Sequence, residues 1–164
     1  MGNQMESSEI FQWLSEIPDP EIPVINIAEL GVLRSVVCEN GKVIVTITPT
    51  YSGCPAMKQM EDDIYTLLKQ KGISEAEVKT SYNPPWTTDW ITEEAKDKLF
   101  QYGIAPPEKS SVNKAQLMGK KITVVCPRCK STETEMVSQF GSTACKALYR
   151  CLDCLEPFDY FKCI

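Results

Sequence analysis

The chain has 164 residues, of which 43% are hydrophobic, so it can form one medium domain or a small domain with an attached module. Its 17 Lys and Arg residues against 22 Asp and Glu residues give a net charge of −5, which argues against a nucleic-acid-binding protein. No apolar stretch approaches the roughly 20 residues that a membrane span needs, and the N-terminus lacks a signal-peptide pattern, so the sequence predicts a cytoplasmic protein with no membrane contact.

The first predicted element is a helix over residues 7–17. Ile10, Leu14 and Ile17 recur at the spacing of one helix face, and a proline follows directly. The proline-rich stretch beyond it cannot form a regular helix or a central strand, because each proline removes a backbone donor. After that stretch, residues 26–31 indicate a single helical turn with a side-chain cap.

A β-hairpin is predicted next. Residues 32–38 and 42–48 flank Asn40 and Gly41, and Asn-Gly is a strong signal for a short turn. The odd-numbered residues of the second strand form its more apolar face. We expect Cys38, in the first strand, to belong to the core.

The remaining chain divides into a structured part, a linker and a cysteine-rich module. A helix is predicted over 55–71, a strand over 76–82 and a helix over 92–102. Together these elements predict an α+β domain over residues 1–104, with helices flanking a small three-stranded sheet. Residues 105–120 show little periodicity and are predicted to be a linker. Residues 121–164 are predicted to be a β-rich module.

The C-terminal module carries two Cys-x-x-Cys pairs and the chain contains no histidine. Two such pairs at this separation are the ligand arrangement of a zinc ribbon. Four thiolates complete a tetrahedral coordination shell and leave no position for a substrate, so the sequence predicts a structural zinc site. Metal binding would supply much of the folding energy of so short a module. The predicted ligands are Cys126, Cys129, Cys151 and Cys154.

Other interpretations of these cysteines remain open at this point. The two pairs could instead form redox dithiols or disulfides, although a reducing compartment disfavours stable disulfides. Iron in a rubredoxin-like site, or an iron–sulfur cluster, is the alternative to zinc. Cys145 and Cys163 lie outside the pairs, and each is either a small buried hydrophobic residue or a further metal ligand.

A second candidate site is Cys54, which lies between a predicted strand and a predicted helix. Pro55 suits the first position of that helix, so Cys54 is expected at the helix N-terminus, where the helix dipole lowers the pKa of a thiol. Such a thiol could react or bind a metal transiently, and an ordinary buried helix cap is the alternative. Asp19 and Glu21, in the proline-rich loop, either contribute to a site or cap a turn.

Several strings of the sequence resemble known families. DPEIPV (19–24) and TPTYSGCP (48–55) resemble the small α+β domain associated with iron–sulfur protein assembly. PWTTDW (85–90), FGSTACKALYRC (140–151) and EPFDYFKCI (156–164) resemble the D subunits of bacterial phenylacetyl-CoA epoxidase systems. This resemblance covers nearly the whole chain.

The resemblance implies a role in aerobic phenylacetate degradation, where a multicomponent di-iron monooxygenase epoxidises phenylacetyl-CoA. It implies an accessory, non-catalytic subunit that acts with the other epoxidase subunits and assists metal-centre or iron–sulfur assembly. Cys54 matches the family's reactive cysteine and Asp19 its acidic loop position. A structural docking module and an iron-dependent electron-transfer component are the alternative functions, and self-association stays open.

Overall fold

The computed structural model describes residues 6–108 and 122–162. The chain divides into two compact units, the first ending at Trp86 and the second beginning at Thr87. The first unit contains α1 (Ser7–Leu14), β1 (Leu33–Glu39), β2 (Lys42–Ile47), α2 (Ala56–Gln70) and β3 (Ala76–Thr80). The second contains a 3-10 helix (Thr88–Trp90), α3 (Glu93–Tyr102), β4 (Ile104–Ala105), β5 (Thr134–Ser138), β6 (Lys146–Cys151) and β7 (Pro157–Phe161).

The sheet of the first unit has the order β1-β2-β3. The β1–β2 hairpin is antiparallel and turns at Asn40 and Gly41, whose φ angles of 51° and 80° are those that Asn-Gly adopts readily. Helix α2 connects β2 to β3 and makes that pair parallel. The predicted alternation is confirmed, because Val43, Val45 and Ile47 are buried.

The segment before the sheet is held by its own polar side chains. Helix α1 ends at Leu14, earlier than predicted, and Ile17 is buried in the turn that follows. The predicted cap is confirmed: Asn26 Oδ1 accepts from the N–H groups of Ala28 and Glu29 at 3.0 and 2.8 Å. The Glu29 carboxylate in turn accepts from the N–H of Asn26 at 3.0 Å. This reciprocal capping box satisfies three backbone N–H groups at the start of the turn.

The prediction that Cys38 belongs to the core is wrong. Cys38 is exposed, although it pairs with the buried Val43 across the hairpin. The reason is that β1 is an edge strand of the sheet, so its far end has a neighbour on one side only.

The second unit begins with a short helix and ends in a four-stranded sheet of order β4-β7-β6-β5. Thr92 caps α3 by accepting the N–H of Ala95 at 3.1 Å, and Gly103 ends the helix with a φ of 98°. Strand β4 follows at once and pairs parallel with β7.

The two compact units divide between Trp86 and Thr87, whereas the sequence predicts a first domain over residues 1–104. Ala105 falls within the predicted linker, but its backbone pairs with Tyr160. Its side chain belongs to the hydrophobic core of the second unit, called the ribbon core below. Most of the predicted linker, and Cys163, lie outside the described residues. No helix in the described part of the chain combines the length and apolar character needed to cross a bilayer.

Candidate metal centre and cysteine loop

The four cysteines of the two Cys-x-x-Cys pairs come together in the second unit. Their sulfur atoms all lie within 4.8 Å of one another. The Cys126 and Cys154 sulfurs are 3.8 Å apart, and those of Cys129 and Cys151 are 3.5 Å apart. Four thiolates bound tetrahedrally to one ion at about 2.3 Å are about 3.8 Å from one another, so the arrangement fits a single thiolate-bound metal ion.

The same distances bear on the alternatives. A disulfide requires sulfur atoms about 2.05 Å apart, and none of the four cysteines is bonded to another. An iron–sulfur cluster with several irons would hold thiolates of different irons farther apart than a single ion does. The geometry therefore fits a mononuclear site, which both zinc and a rubredoxin-like iron satisfy.

The two cysteine loops are built alike. In each, the N–H of the first cysteine donates to the carbonyl five residues ahead, at 2.9 Å from Cys126 to Ser131 and 3.0 Å from Cys151 to Glu156. The residue after the second cysteine has a left-handed backbone in both loops, which turns the chain tightly around the sulfur atoms. These residues are Lys130 (φ 64°) and Leu155 (φ 65°).

Hydrogen bonds also join the two loops to each other. The Ser131 hydroxyl donates to the Asp153 carboxylate, and it accepts the N–H of Glu133 at 3.0 Å. The N–H of Leu152 donates to the carbonyl of Glu133 at 2.8 Å. Sequence reasoning missed this Ser131–Asp153 link, because it depends on tertiary pairing and leaves no local signal.

The site lies between the ribbon core and the surface. Cys126 and Cys151 are 0% exposed and pack with a cluster that includes Tyr149 and Tyr160, whose rings meet edge to face with centroids 5.5 Å apart. Cys129 is exposed, and Cys154 is half-buried. The first cysteine of each pair therefore belongs to the core, and the second faces outward.

The thiols of the site do not ionise alike. The N–H groups of Cys154 and Asp153 lower the pKa of Cys151 to about 7. The N–H of Glu156 favours the thiolate of Cys154, but burial and the neighbouring sulfur atoms outweigh it and raise that pKa to about 12. A metal ion must therefore displace protons to bind, and binding weakens as the pH falls.

Cys54 lies in the loop between β2 and α2, directly before the Pro55 cap and the helix that begins at Ala56. It therefore stands at a helix start, where the sequence places it. The side chain is half-buried, and its sulfur accepts hydrogen bonds from the Ala56 N–H and the Tyr51 hydroxyl. The charges of Glu21 and Asp19 also act on it, so the structure brings the acidic loop and the cysteine loop together.

The prediction of a lowered Cys54 pKa is wrong. Burial raises the pKa of the Cys54 thiol, and the charges of Glu21 and Asp19 raise it further. The Ala56 N–H and the Tyr51 hydroxyl lower it, as a helix start should, but they do not outweigh burial. Cys54 is accordingly a protonated thiol at neutral pH.

Asp19 holds its own loop in place. It is 4% exposed, and its Oδ1 accepts the N–H groups of Glu21 at 2.8 Å and Ile22 at 2.7 Å. The N–H of Asp19 donates to the carbonyl of Ile25 at 2.9 Å. Asp19 therefore caps a turn, which is one of its two predicted roles, and its charge also acts on Cys54.

We expect Cys54 to be alkylated slowly at neutral pH. Its alkylation rate should rise only at a higher pH than the rate for a cysteine in an unstructured peptide. Tyr51→Phe should move this profile to still higher pH, since it removes a hydrogen bond that stabilises the thiolate. Peptide-level mass spectrometry of iodoacetamide-treated protein measures the profile. Ser52→Ala, in the same loop and exposed, should leave it unchanged. If the alkylation rate of Cys54 rose at a lower pH than the rate for the peptide cysteine, the raised pKa would be contradicted.

Cys145 is buried, which agrees with its predicted role as a small buried hydrophobic residue. Its sulfur lies 3.0 Å from the Thr143 hydroxyl. It is not part of the four-sulfur group. Cys163 lies outside the described residues, so its predicted alternatives stay predictions.

Two family models match different parts of the chain. The family model described as the PaaD zinc beta ribbon domain matches residues 110–162, and the one described as an iron–sulfur cluster assembly protein matches residues 7–80. A protein of Escherichia coli (strain K12), described as the D subunit of a 1,2-phenylacetyl-CoA epoxidase, is 49% identical over 156 residues, which cover 95% of this chain and 92% of that protein. The chain belongs to the family of phenylacetyl-CoA epoxidase D subunits.

The N-terminal part of this D-subunit family member has further relatives. A protein of Porphyromonas gingivalis (strain ATCC BAA-308 / W83), described as an Fe-S protein maturation auxiliary factor, is 34% identical over 103 residues, or 60% of this chain and 97% of that protein. The crystal structure of a DUF59 domain from Bacillus anthracis superposes with a TM-score of 0.53 at 29% identity, covering 57% of this chain and 90% of that one. The predicted α+β class and both predicted resemblances are thus confirmed.

Proposed function

We propose that this chain is an accessory maturation subunit of a phenylacetyl-CoA epoxidase system, and that it assists metal-centre or iron–sulfur assembly on the other subunits. The observation that carries the proposal is the position of Cys54, half-buried beside an acidic loop in a unit related to Fe-S maturation auxiliary factors. The metal or cluster is then cargo, held briefly at Cys54 and passed to a partner.

The protonation of Cys54 suits a transient ligand. Because its pKa is raised, a proton competes with the cargo for the sulfur and favours release. The Tyr51 hydroxyl and the Ala56 N–H stabilise the thiolate while the cargo is bound. A thiol with a strongly lowered pKa would hold the same metal more firmly.

We assign a separate, structural role to the four-cysteine site, and zinc as its metal. Four sulfur donors with no open position support a structural ion, and the matching family is described as a zinc ribbon. Its ligands are Cys126, Cys129, Cys151 and Cys154. Metal analysis of the purified protein tests the assignment: a colourless protein with about one zinc per chain supports it, and a coloured protein with iron supports electron transfer instead.

The decisive experiment compares Cys54→Ala with Cys38→Ala in cells grown on phenylacetate. We expect the Cys54→Ala variant to leave the epoxidase as poorly metallated as a strain without this chain, while Cys38→Ala behaves as wild type. The metal content of the captured epoxidase subunits is the readout. Both variants should retain the metal of the ribbon, since neither residue belongs to the four-sulfur group. Full metallation of the epoxidase with Cys54→Ala contradicts the proposed role.

A structural docking module is the second candidate function. It is favoured by apolar side chains exposed on and beside the edge strand β5, where Val137 is 57% exposed and Phe140 68% exposed. Docking predicts that Val137→Asp lowers recovery of this chain with the epoxidase, whereas Cys54→Ala leaves both recovery and metallation unchanged. Capture from cells with both variants separates the two functions.

A further inference from the structure

We propose that the four-cysteine site is also a peroxide-sensitive switch, in which Cys129 is oxidised first and forms a disulfide with Cys151. The bound metal ion is released in the process. This inference rests on the proposed occupation of the site by zinc. It adds a regulatory role to a site that is otherwise only structural.

The order of attack follows from the exposure of the four cysteines. Cys126 and Cys151 are 0% exposed, and Cys154 is half-buried, so a dissolved oxidant meets Cys129 first. A metal-bound sulfur is a thiolate for as long as the metal stays bound, and the thiolate is the form that reacts with peroxide. Cys38 is also exposed but does not belong to the four-sulfur group, so it serves as an internal comparison.

The second sulfur is assigned to Cys151 because it lies close to Cys129 in the opposite loop. Cys151 lies 3.5 Å from Cys129, and the two residues come from opposite loops. A disulfide bond requires about 2.05 Å, so the sulfurs must approach by only about 1.5 Å. Cys151 is anchored in the core, whereas Cys129 lies at the surface. The approach therefore needs movement mainly of the loop that carries Cys129.

The chemistry balances with hydrogen peroxide as the oxidant. The Cys129 thiolate attacks one peroxide oxygen, the O–O bond breaks, and a sulfenic acid and one hydroxide form. The Cys151 thiolate then attacks the Cys129 sulfur, the S–O bond breaks, and a second hydroxide leaves as the disulfide forms. The two sulfurs together give up two electrons, and two protons from solvent convert both hydroxides into water. With two of the four thiolates consumed, only Cys126 and Cys154 would remain as ligands, and the ion would leave as a hydrated cation.

The disulfide would join the same two loops that the metal joins. Oxidation would therefore replace one cross-link by another and leave Cys126 and Cys154 ready to bind again after reduction. The Ser131–Asp153 hydrogen bond also joins these loops and needs no metal, so it would keep them aligned during the exchange.

The test uses the full chain, with its zinc content measured beforehand. One equivalent of hydrogen peroxide is added, zinc release is followed with a chelating dye, and disulfides are mapped by mass spectrometry after free thiols are alkylated. We expect one zinc released per disulfide, Cys129–Cys151 as the main first disulfide, and recovery of bound zinc after a thiol reductant and zinc are added. Cys38→Ser should behave identically.

Two results would contradict the proposed switch. One is zinc that stays bound while Cys38 or Cys54 is oxidised, and the other is a first disulfide that leaves Cys129 or Cys151 as a free thiol. Absence of zinc before the treatment contradicts the proposed metal and the switch together, whereas zinc retained after it contradicts the switch alone.

Discussion

Replacing Cys151 with serine is expected to strip the second unit of its metal and to destabilise the strands around the site. Cys151 is 0% exposed and is the last residue of β6, so its sulfur anchors the metal directly to the sheet. Structural zinc sites contribute apparent binding free energies of about 10–16 kcal/mol near neutral pH, much of which acts as folding free energy. Metal analysis and amide hydrogen exchange in β6 and β7 measure the loss.

Cys145→Ser is the matched control for this variant. Cys145 is also a buried cysteine of the second unit, but it lies outside the four-sulfur group, and the Thr143 hydroxyl is its neighbour. The control should keep its metal and the exchange protection of β6 and β7. If Cys151→Ser also kept both, the folding of this unit would not depend on the metal.

Asp19→Ala is expected to destabilise the first unit by about 2–5 kcal/mol. The substitution removes the acceptor of two backbone N–H groups, those of Glu21 and Ile22, of which Ile22 is 1% exposed. Hydrogen bonds to a charged acceptor contribute about 1.5–3 kcal/mol each, and buried donors left without an acceptor add to the cost. The free energy of unfolding from urea denaturation measures the effect.

Two further variants distinguish the effect of losing the turn hydrogen bonds from the effect of losing negative charge in the loop. Asp19→Asn keeps an oxygen at the same position and should lose less stability than Asp19→Ala. Glu21→Ala should cost less than Asp19→Ala, because it keeps both turn hydrogen bonds, which come from backbone N–H groups. An Asp19→Ala protein within about 0.5 kcal/mol of wild type would contradict the structural role of this carboxylate. The Asn variant is therefore the better probe of Asp19 in maturation assays.

The features predicted well are those encoded by short spacings. The Cys-x-x-Cys pairs place two sulfurs on one loop whatever the rest of the chain does, and the structure brings Cys126 and Cys129 together with the second pair. The Asn40-Gly41 turn and the alternation of β2 are equally local. The capping box at Asn26 forms within four residues, so its sequence pattern is sufficient to predict it.

The features predicted poorly depend on neighbours distant in the sequence. Whether Cys38 is buried depends on β1 being an edge strand, which the hairpin alone does not reveal. The pKa of Cys54 depends on burial and on the acidic loop more than thirty residues earlier, and these outweigh the helix start that the sequence does reveal. The position of Ala105 in the ribbon sheet follows from its pairing with Tyr160, which no local pattern indicates.

The pairing of β4 with β7 also decides how the protein can be divided for experiments. A ribbon fragment cut to the matched family boundaries, residues 110–162, would lack β4 and Ala105. Its β7 strand would become an open edge with unpaired backbone groups, and the space filled by Ala105 in the core would be empty. A fragment starting at Thr87 keeps the strand, so it is the one to use when metal affinity is compared with that of the full chain.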